Sequence, residues 1–255
     1  MDFYANPKKQ VNIEVGTRIF ARHAIHTHFV EIGEDYLDLV RQYVAPLYQA
    51  GDILSISEKI IALCQKRVVY KQDMRLSPLA RFLSRFAMSS EAGIGVDSPW
   101  KMQFAIDYCG APKVLWAAVC AGAGKLMGKH GIFYDMVGQE ITGLDGFYDH
   151  VFACYGEYGI RIPEDPDRVC NEITSALGIL CILVDANDLT RTLLGKSSAL
   201  TESDEMLLSL IRDNPAGQST ECTPFVLIRE LNGSQDNGGD TDSKIASTGQ
   251  NLHQV

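Results

Sequence analysis

The sequence predicts an α+β protein, with mixed sheets and packed helices around a glycine-rich centre. Three observations predict it. Val11, Ile13 and Val15 alternate as one strand face. Tyr36, Leu37, Leu39, Val40, Tyr43, Val44 and Leu47 recur at helical spacing, which marks an amphipathic helix over residues 34–48. Residues 180–189 read as a buried strand opening into an acidic turn, Asp185-Ala-Asn-Asp188.

The remaining elements follow in chain order. Gly16-Thr-Arg-Ile-Phe-Ala-Arg-His continues as strand or loop, and Ala50-Gly-Asp stops the first helix. Ile53-Leu-Ser-Ile-Ser is a short buried strand, residues 58–65 a helix, and Arg67-Val-Val-Tyr a strand. Ser77 and Pro78 begin another helix as cap and first residue. Residues 100–109 read as a helix and residues 113–120 as a buried strand or helix. Ala121-Gly-Ala-Gly-Lys-Leu-Met-Gly-Lys-His-Gly reads as a flexible loop or a small-residue packing surface. Ile160-Arg-Ile enters a helix that starts around residues 165–167 and breaks at Gly178. A helix over residues 204–212 and a last strand, Phe225-Val-Leu-Ile-Arg, complete the pattern.

Bulk composition bounds the function. A chain of 255 residues, 46% hydrophobic and 22% charged, is long enough for one large domain or two smaller ones. We expect one region over residues 1–230 and a disordered tail over residues 231–255, where almost nothing is left to bury. The net charge of −9 argues against a nucleic-acid partner. The longest apolar run is too short for a membrane span. Seven scattered cysteines without a Cys-x-x-Cys pair suit reduced thiols, so a cytoplasmic setting is expected.

Several segments carry candidate chemistry. Asp185, Asn187 and Asp188 offer three oxygen-bearing side chains in four positions, either for a hard cation or for an Asx turn capping a following helix. Gly143-Leu-Asp145-Gly-Phe-Tyr148-Asp149 offers a second carboxylate, or is only a turn. Asp213-Asn-Pro-Ala-Gly-Gln218-Ser-Thr-Glu221-Cys-Thr-Pro224 is a dense polar loop that suits a metal, a phosphate or a plain surface connection. The stretch around Lys125 fails the phosphate-loop pattern, since Leu126 follows the lysine and Val119 stands where the first glycine belongs. His23, His26 and His28 read as ordinary strand histidines or as part of a zinc pair without a third ligand. No Gly-x-Ser-x-Gly elbow is present.

The order of these segments resembles the coenzyme F-420-0:L-glutamate ligase (γ-glutamyl ligase) family, of which the chain looks like a divergent member. The resemblance rests on Gly51-Asp-Ile-Leu-Ser-Ile-Ser-Glu58-Lys59 with Arg67, on Gly143-Leu-Asp145, on Ile162-Pro-Glu-Asp-Pro-Asp167, on Val184-Asp185-Ala-Asn-Asp-Leu, and on Asp213–Pro224. It implies a γ-glutamyl ligase-like fold and an amide ligase driven by GTP (or ATP) with magnesium or manganese. It also implies a small-molecule substrate and a homodimer. Carried over residue by residue, Asp145 and Asp185 match metal ligands, with Glu221 a further candidate. Glu58, Lys59, Arg67 and Gln218 fall in nucleotide- or phosphate-facing segments. Ala186 and Tyr148 depart from the family pattern, which motivates an alternative: a non-catalytic or regulatory ligand-binding protein that keeps the fold.

Overall fold

The computed structural model describes residues 2–87, 96–148, 152–217 and 220–231. The expected tail lies outside them from residue 232, and so does Gln218. The fold is α+β, as the periodicities predict.

A hairpin of β1 (Asn12–Val15) and β2 (Arg18–Ile25) opens the chain. Helix α1 (Tyr36–Tyr43) starts where Asp35 accepts the Leu37 N–H at 2.7 Å. It ends five residues short of the periodic pattern, because Pro46 has no N–H to continue the ladder and crowds the residue before it. Strand β3 (Ile53–Ser57) runs directly into α2 (Glu58–Cys64), and β4 (Val68–Tyr70) follows. Helix α3 (Pro78–Ser84) is capped by Ser77, which accepts the Ala80 N–H at 3.1 Å. Helices α4 (Pro99–Cys109), α5 (Ala111–Leu126), α6 (Ile132–Val137) and α7 (Gln139–Thr142) form the middle of the chain.

The middle decides between two expectations. The glycine-rich segment begun at Ala121 is helical as far as Leu126 and is not a flexible loop there. Its small residues are a packing surface: a Cβ on Gly124 would fall 2.1 Å from the Ile132 side chain of α6. Strands β5 (Asp145–Gly146) and β6 (Tyr158–Ile160) then pair with β4 in a three-stranded sheet, order β4-β6-β5. Gly146 is required there, since its φ is +82° and a Cβ would meet the Tyr158 carbonyl at 2.4 Å.

Helix α8 (Pro166–Leu177) ends at Gly178, whose φ of +70° makes the left-handed cap the sequence predicts. Strand β7 (Cys181–Ala186) follows, then β8 (Arg191–Lys196), α9 (Asp204–Leu210) and β9 (Phe225–Leu231). The acidic turn therefore does not cap a helix. It is the tip of a β7–β8 hairpin, closed by the Asn187 N–H on the Thr190 carbonyl at 2.9 Å.

The main sheet has the order β1-β2-β9-β3-β7-β8 and is antiparallel except where β3 meets β7. Helices α1 and α8 cover one face over Leu54, Ile56, Leu183 and Leu227. Helix α9 covers the other, over Ile182, Val184, Val226 and Ile228. Beside α9, the fully buried Arg22 of β2 holds Asp213 with two guanidinium nitrogens and donates to the Leu210 carbonyl at 3.1 Å. This pair anchors the start of the polar loop that leads into β9.

Asp213→Ala would leave the Arg22 guanidinium buried without its counter-charge. The variant is expected to lose about 3 kcal/mol of stability, read as a lower urea midpoint at unchanged slope. A midpoint equal to the parent's would show that the pair is not structural.

Candidate active site

The only parallel junction of the main sheet among the described strands places two strand ends side by side. Ser57 pairs with Val184, so Glu58, the first residue after β3, and Asp185, near the end of β7, open toward the same edge. Open sheets bind ligands at such carboxyl ends. Antiparallel β9 begins at this edge: the Ser57 N–H donates to the Pro224 carbonyl at 2.9 Å, bringing Glu221–Pro224 alongside. The residues after β2 arrive there too, through the Thr27 N–H on the Cys222 carbonyl at 2.9 Å.

Facing this edge is the small sheet with its flanking helices, and between the two lies a cleft of about 570 Å³. Glu58, Lys59, Asp145, Asp185 and Glu221 all line it. These five residues come from four separate stretches of sequence. Arg67 is not among the lining residues: its guanidinium donates to Glu140 at 2.6 Å and to the Ile162 carbonyl at 3.0 Å, tying β4 to α7. Gln218 lies outside the described residues, although its neighbours Gly217 and Glu221 line the cleft.

Lys59 and Asp145 form the centre. The Lys59 Nζ sits 2.5 Å from Asp145 Oδ2, and the Tyr148 hydroxyl donates to the same oxygen at 3.1 Å. The Gly146 N–H donates to Asp145 Oδ1 at 2.7 Å. Burial pushes the Asp145 carboxyl up, but Lys59 and Lys101 outweigh it and hold it at about 2. Burial likewise opposes the Lys59 charge, yet Asp145 and its tyrosine neighbours raise that ammonium above the ordinary lysine range. The ammonium lies over the Tyr155 ring, 5.1 Å from its centroid, and cation–π attraction adds to its fixation.

Glu58 and Asp185 are placed differently. No hydrogen bond reaches either carboxylate among the described residues. Burial, Asp185 and Asp145 together raise the Glu58 carboxyl to about 8, against the pull of Lys59. Burial and Asp145 raise Asp185 as well. These are half-buried, mutually repelling carboxylates with little to neutralise them, and their oxygens are the hard donors that magnesium and manganese take. That arrangement fits a divalent cation. Among the described residues no three His, Cys, Asp or Glu side chains form a ready-made metal cluster. A cation would therefore draw on one or two carboxylates and complete its shell from water or substrate.

No protein-family model matches this chain, and no curated protein matches it.

Among the lining residues that the sequence reading misses, two shape the centre of the cleft. Lys101 of α4 is 5% exposed and donates to the Leu144 carbonyl at 2.7 Å, which pins the residue before Asp145. Burial pulls its ammonium down despite Asp145 and Asp97. Its signal was a lysine inside the apolar run Trp100–Ile106 (a charge where the core pattern asks for none). Tyr155 packs edge-on against Phe152 and Tyr148 and walls the cleft with them.

The acidic turn resolves into separate roles. Asn187 Oδ1 accepts the Leu189 and Thr190 N–H groups, both at 2.8 Å, so it serves the hairpin. Asp188 pairs with Lys9 at 2.7 Å and accepts from Asn214 at 3.2 Å. Only Asp185 turns its carboxylate to the cleft. The histidines also part. His28 is held between Tyr43 and Glu34, His23 accepts the Tyr4 N–H, and His26 lies 3.0 Å from the Glu221 carbonyl.

Glu58 makes stability pH-dependent. Between about pH 4.3, where the unfolded glutamate ionises, and about pH 8, the native chain holds a proton that the unfolded chain has released. Its contribution to stability therefore falls as pH rises through that window. Glu58→Gln is expected to melt like the parent at pH 4 and higher than the parent at pH 9. Parallel melting profiles at the two pH values would contradict the raised carboxyl.

Proposed function

We propose that this protein is a metal- and nucleotide-dependent amide ligase of the γ-glutamyl type, joining an amino acid to a small-molecule carboxylate or phosphoester acceptor. One observation carries the reading. Glu58, Lys59, Asp145, Asp185 and Glu221, far apart in sequence, line one cleft at the strand ends of the main sheet. The ordered resemblance of the same segments to the γ-glutamyl ligases supports it.

The chemistry follows from the charges. The cleft carries four carboxyl groups, at Glu58, Asp145, Asp185 and Glu221, of which Glu58 holds a proton near neutral pH, against two ammonium groups, at Lys59 and Lys101. A triphosphate is repelled by that balance unless positive charge enters with it. Asp145 or Asp185, or both, would hold magnesium or manganese, with Glu221 on the loop as a further candidate oxygen donor and the rest of the shell from water or substrate. When bound, the cation supplies the charge that neutralises the phosphates. Lys59 and Lys101 add fixed positive charge to the same cleft. In the reaction class, a substrate carboxylate takes the terminal phosphoryl group and becomes an acyl phosphate. The incoming amine then displaces phosphate and gives up a proton. Glu58, holding a proton near neutral pH, is poised to exchange protons with such an amine.

One feature favours a second reading, a ligand-binding protein that has lost catalysis. Asp145 Oδ2 already takes both Lys59 and the Tyr148 hydroxyl. On that reading the internal lysine has replaced the cation.

Calorimetric titration with GTP and with ATP, each with magnesium or manganese, separates these readings from neither. Saturable binding that vanishes when the cation is withheld is expected, together with phosphate release that Asp185→Ala lowers on the order of 100-fold while the fold is kept. Binding without phosphate release in any substrate mixture would favour the non-catalytic reading. No binding of either nucleotide would remove the ligase reading.

A further inference from the structure

Helix α5 presents an apolar face that nothing in the described structure covers. Trp116, Val119, Leu126 and Met127 are 62%, 61%, 91% and 69% exposed. Six of the twelve exposed large apolar side chains among the described residues fall within residues 108–127. Such a concentration marks a contact surface and not the usual scatter of single apolar residues.

The face has a definite layout. Pro112, Leu115, Val119, Ala123 and Leu126 recur at steps of three and four, so they form one stripe along the helix, with Trp116 at its side. Val114, Ala117 and Gly124 occupy the opposite side and are buried against the neighbouring helices. At about 100° per residue, Lys113 and Lys125 fall on opposite flanks of the stripe. Lys129 follows just beyond the helix. Residues 108–134 contain no Asp or Glu, although the chain has 32 of them; Asp107 and Asp135 mark the limits. The end of helix α3 shows the same chemistry: exposed Phe82 and, just beyond the helix, Phe86 are in edge contact, each preceded in sequence by an arginine, Arg81 and Arg85.

We propose that the outer face of α5 docks onto an anionic membrane surface. The charge pattern selects this occupant. A second copy of the chain would bring lysine rims against lysine rims, whereas acidic lipid headgroups meet both rims with opposite charge. An apolar stripe with tryptophan at its side and lysines on both flanks lies flat in a bilayer interface, the lysine stems reaching up to the headgroups. The chain's net negative charge resides elsewhere, and beyond a Debye length of about 8 Å it is screened. The contact is peripheral, since no helix among the described residues is long and apolar enough to cross a membrane. It is also independent of the cleft, because no α5 residue lines it.

The test uses the full chain carrying Trp100→Phe, which leaves Trp116 as the sole tryptophan. Vesicles of equimolar phosphatidylglycerol and phosphatidylcholine are compared with vesicles of phosphatidylcholine alone. Co-sedimentation with the anionic vesicles and a blue shift of Trp116 emission are expected, both weakened by high salt. Val119→Glu with Leu126→Glu should abolish both. Lys113→Gln, Lys125→Gln and Lys129→Gln together, which leave the apolar stripe intact, should lower partitioning on the order of 100-fold. Equal binding to neutral vesicles, or no binding to either, overturns the proposal. So does a vesicle-free blue shift that grows with protein concentration alongside a dimer mass in sedimentation equilibrium, which would assign the face to a second copy.

Discussion

The parallel pairing of β3 with β7 is the constraint on which the rest depends. Parallel neighbours need a crossover connection, and here everything between Glu58 and Leu180 serves as one. The small sheet, the glycine-rich helices and α8 are all inserted into that single excursion. The excursion leaves at Glu58 and re-enters at Leu180, and the parallel register, with Ser57 opposite Val184, sets Glu58 beside Asp185 whatever the insertion contains. Asp145 reaches them only because the excursion folds back and presents β5 to the same edge. The antiparallel position of β9 beside β3 then determines that Glu221 enters from the third side.

The Lys59–Asp145 pair joins the main sheet to this insertion, but it is a weak candidate for holding the fold together. The two side chains are 30% and 35% exposed, so solvent screens much of their attraction. Structural work falls instead on drier contacts: Arg22 with Asp213, Arg229 with Asp52, and Glu140 shared by Arg67 and Arg161. What the central pair does is place charge. It holds a carboxylate ionised beside the aromatic wall and leaves the neighbouring carboxylates to repel one another. A fold rarely gathers half-buried like charges without a ligand to answer them.

Local signals in the chain were legible wherever local chemistry decides. Ser77-Pro78, Asp35 and Gly178 mark helix ends because capping depends on a few adjacent residues. The strands around Ile53 and Phe225 are runs of apolar residues with nowhere else to go. Where tertiary contacts decide, reading failed. The small residues of α5 left a loop and a packing surface both open, and the packing of Ile132 against Gly124 decides for the surface. Strand β8 carries Arg191, Thr192 and Lys196 on a sheet edge and shows no apolar alternation of its own. The site followed the same division. Motif residues at strand ends come together along one cleft, whereas Arg67 is tied to Glu140 and Lys101 comes from a helix with no motif at all.

The separation of the carboxylates is the most informative property of the cleft. Asp145 sits at about 2 and Glu58 at about 8, although both are acids in one pocket. The difference comes from their partners. Asp145 has a lysine, a tyrosine hydroxyl and a backbone N–H, whereas Glu58 has only carboxylate neighbours and a lysine already engaged elsewhere. Where two titratable groups are driven apart in this way, one is suited to hold charge and the other to move a proton. Asp145 then anchors a cation or the internal lysine, and Glu58 exchanges the proton. The same geometry serves both proposed readings of the cleft up to that exchange, and only a reaction uses the proton.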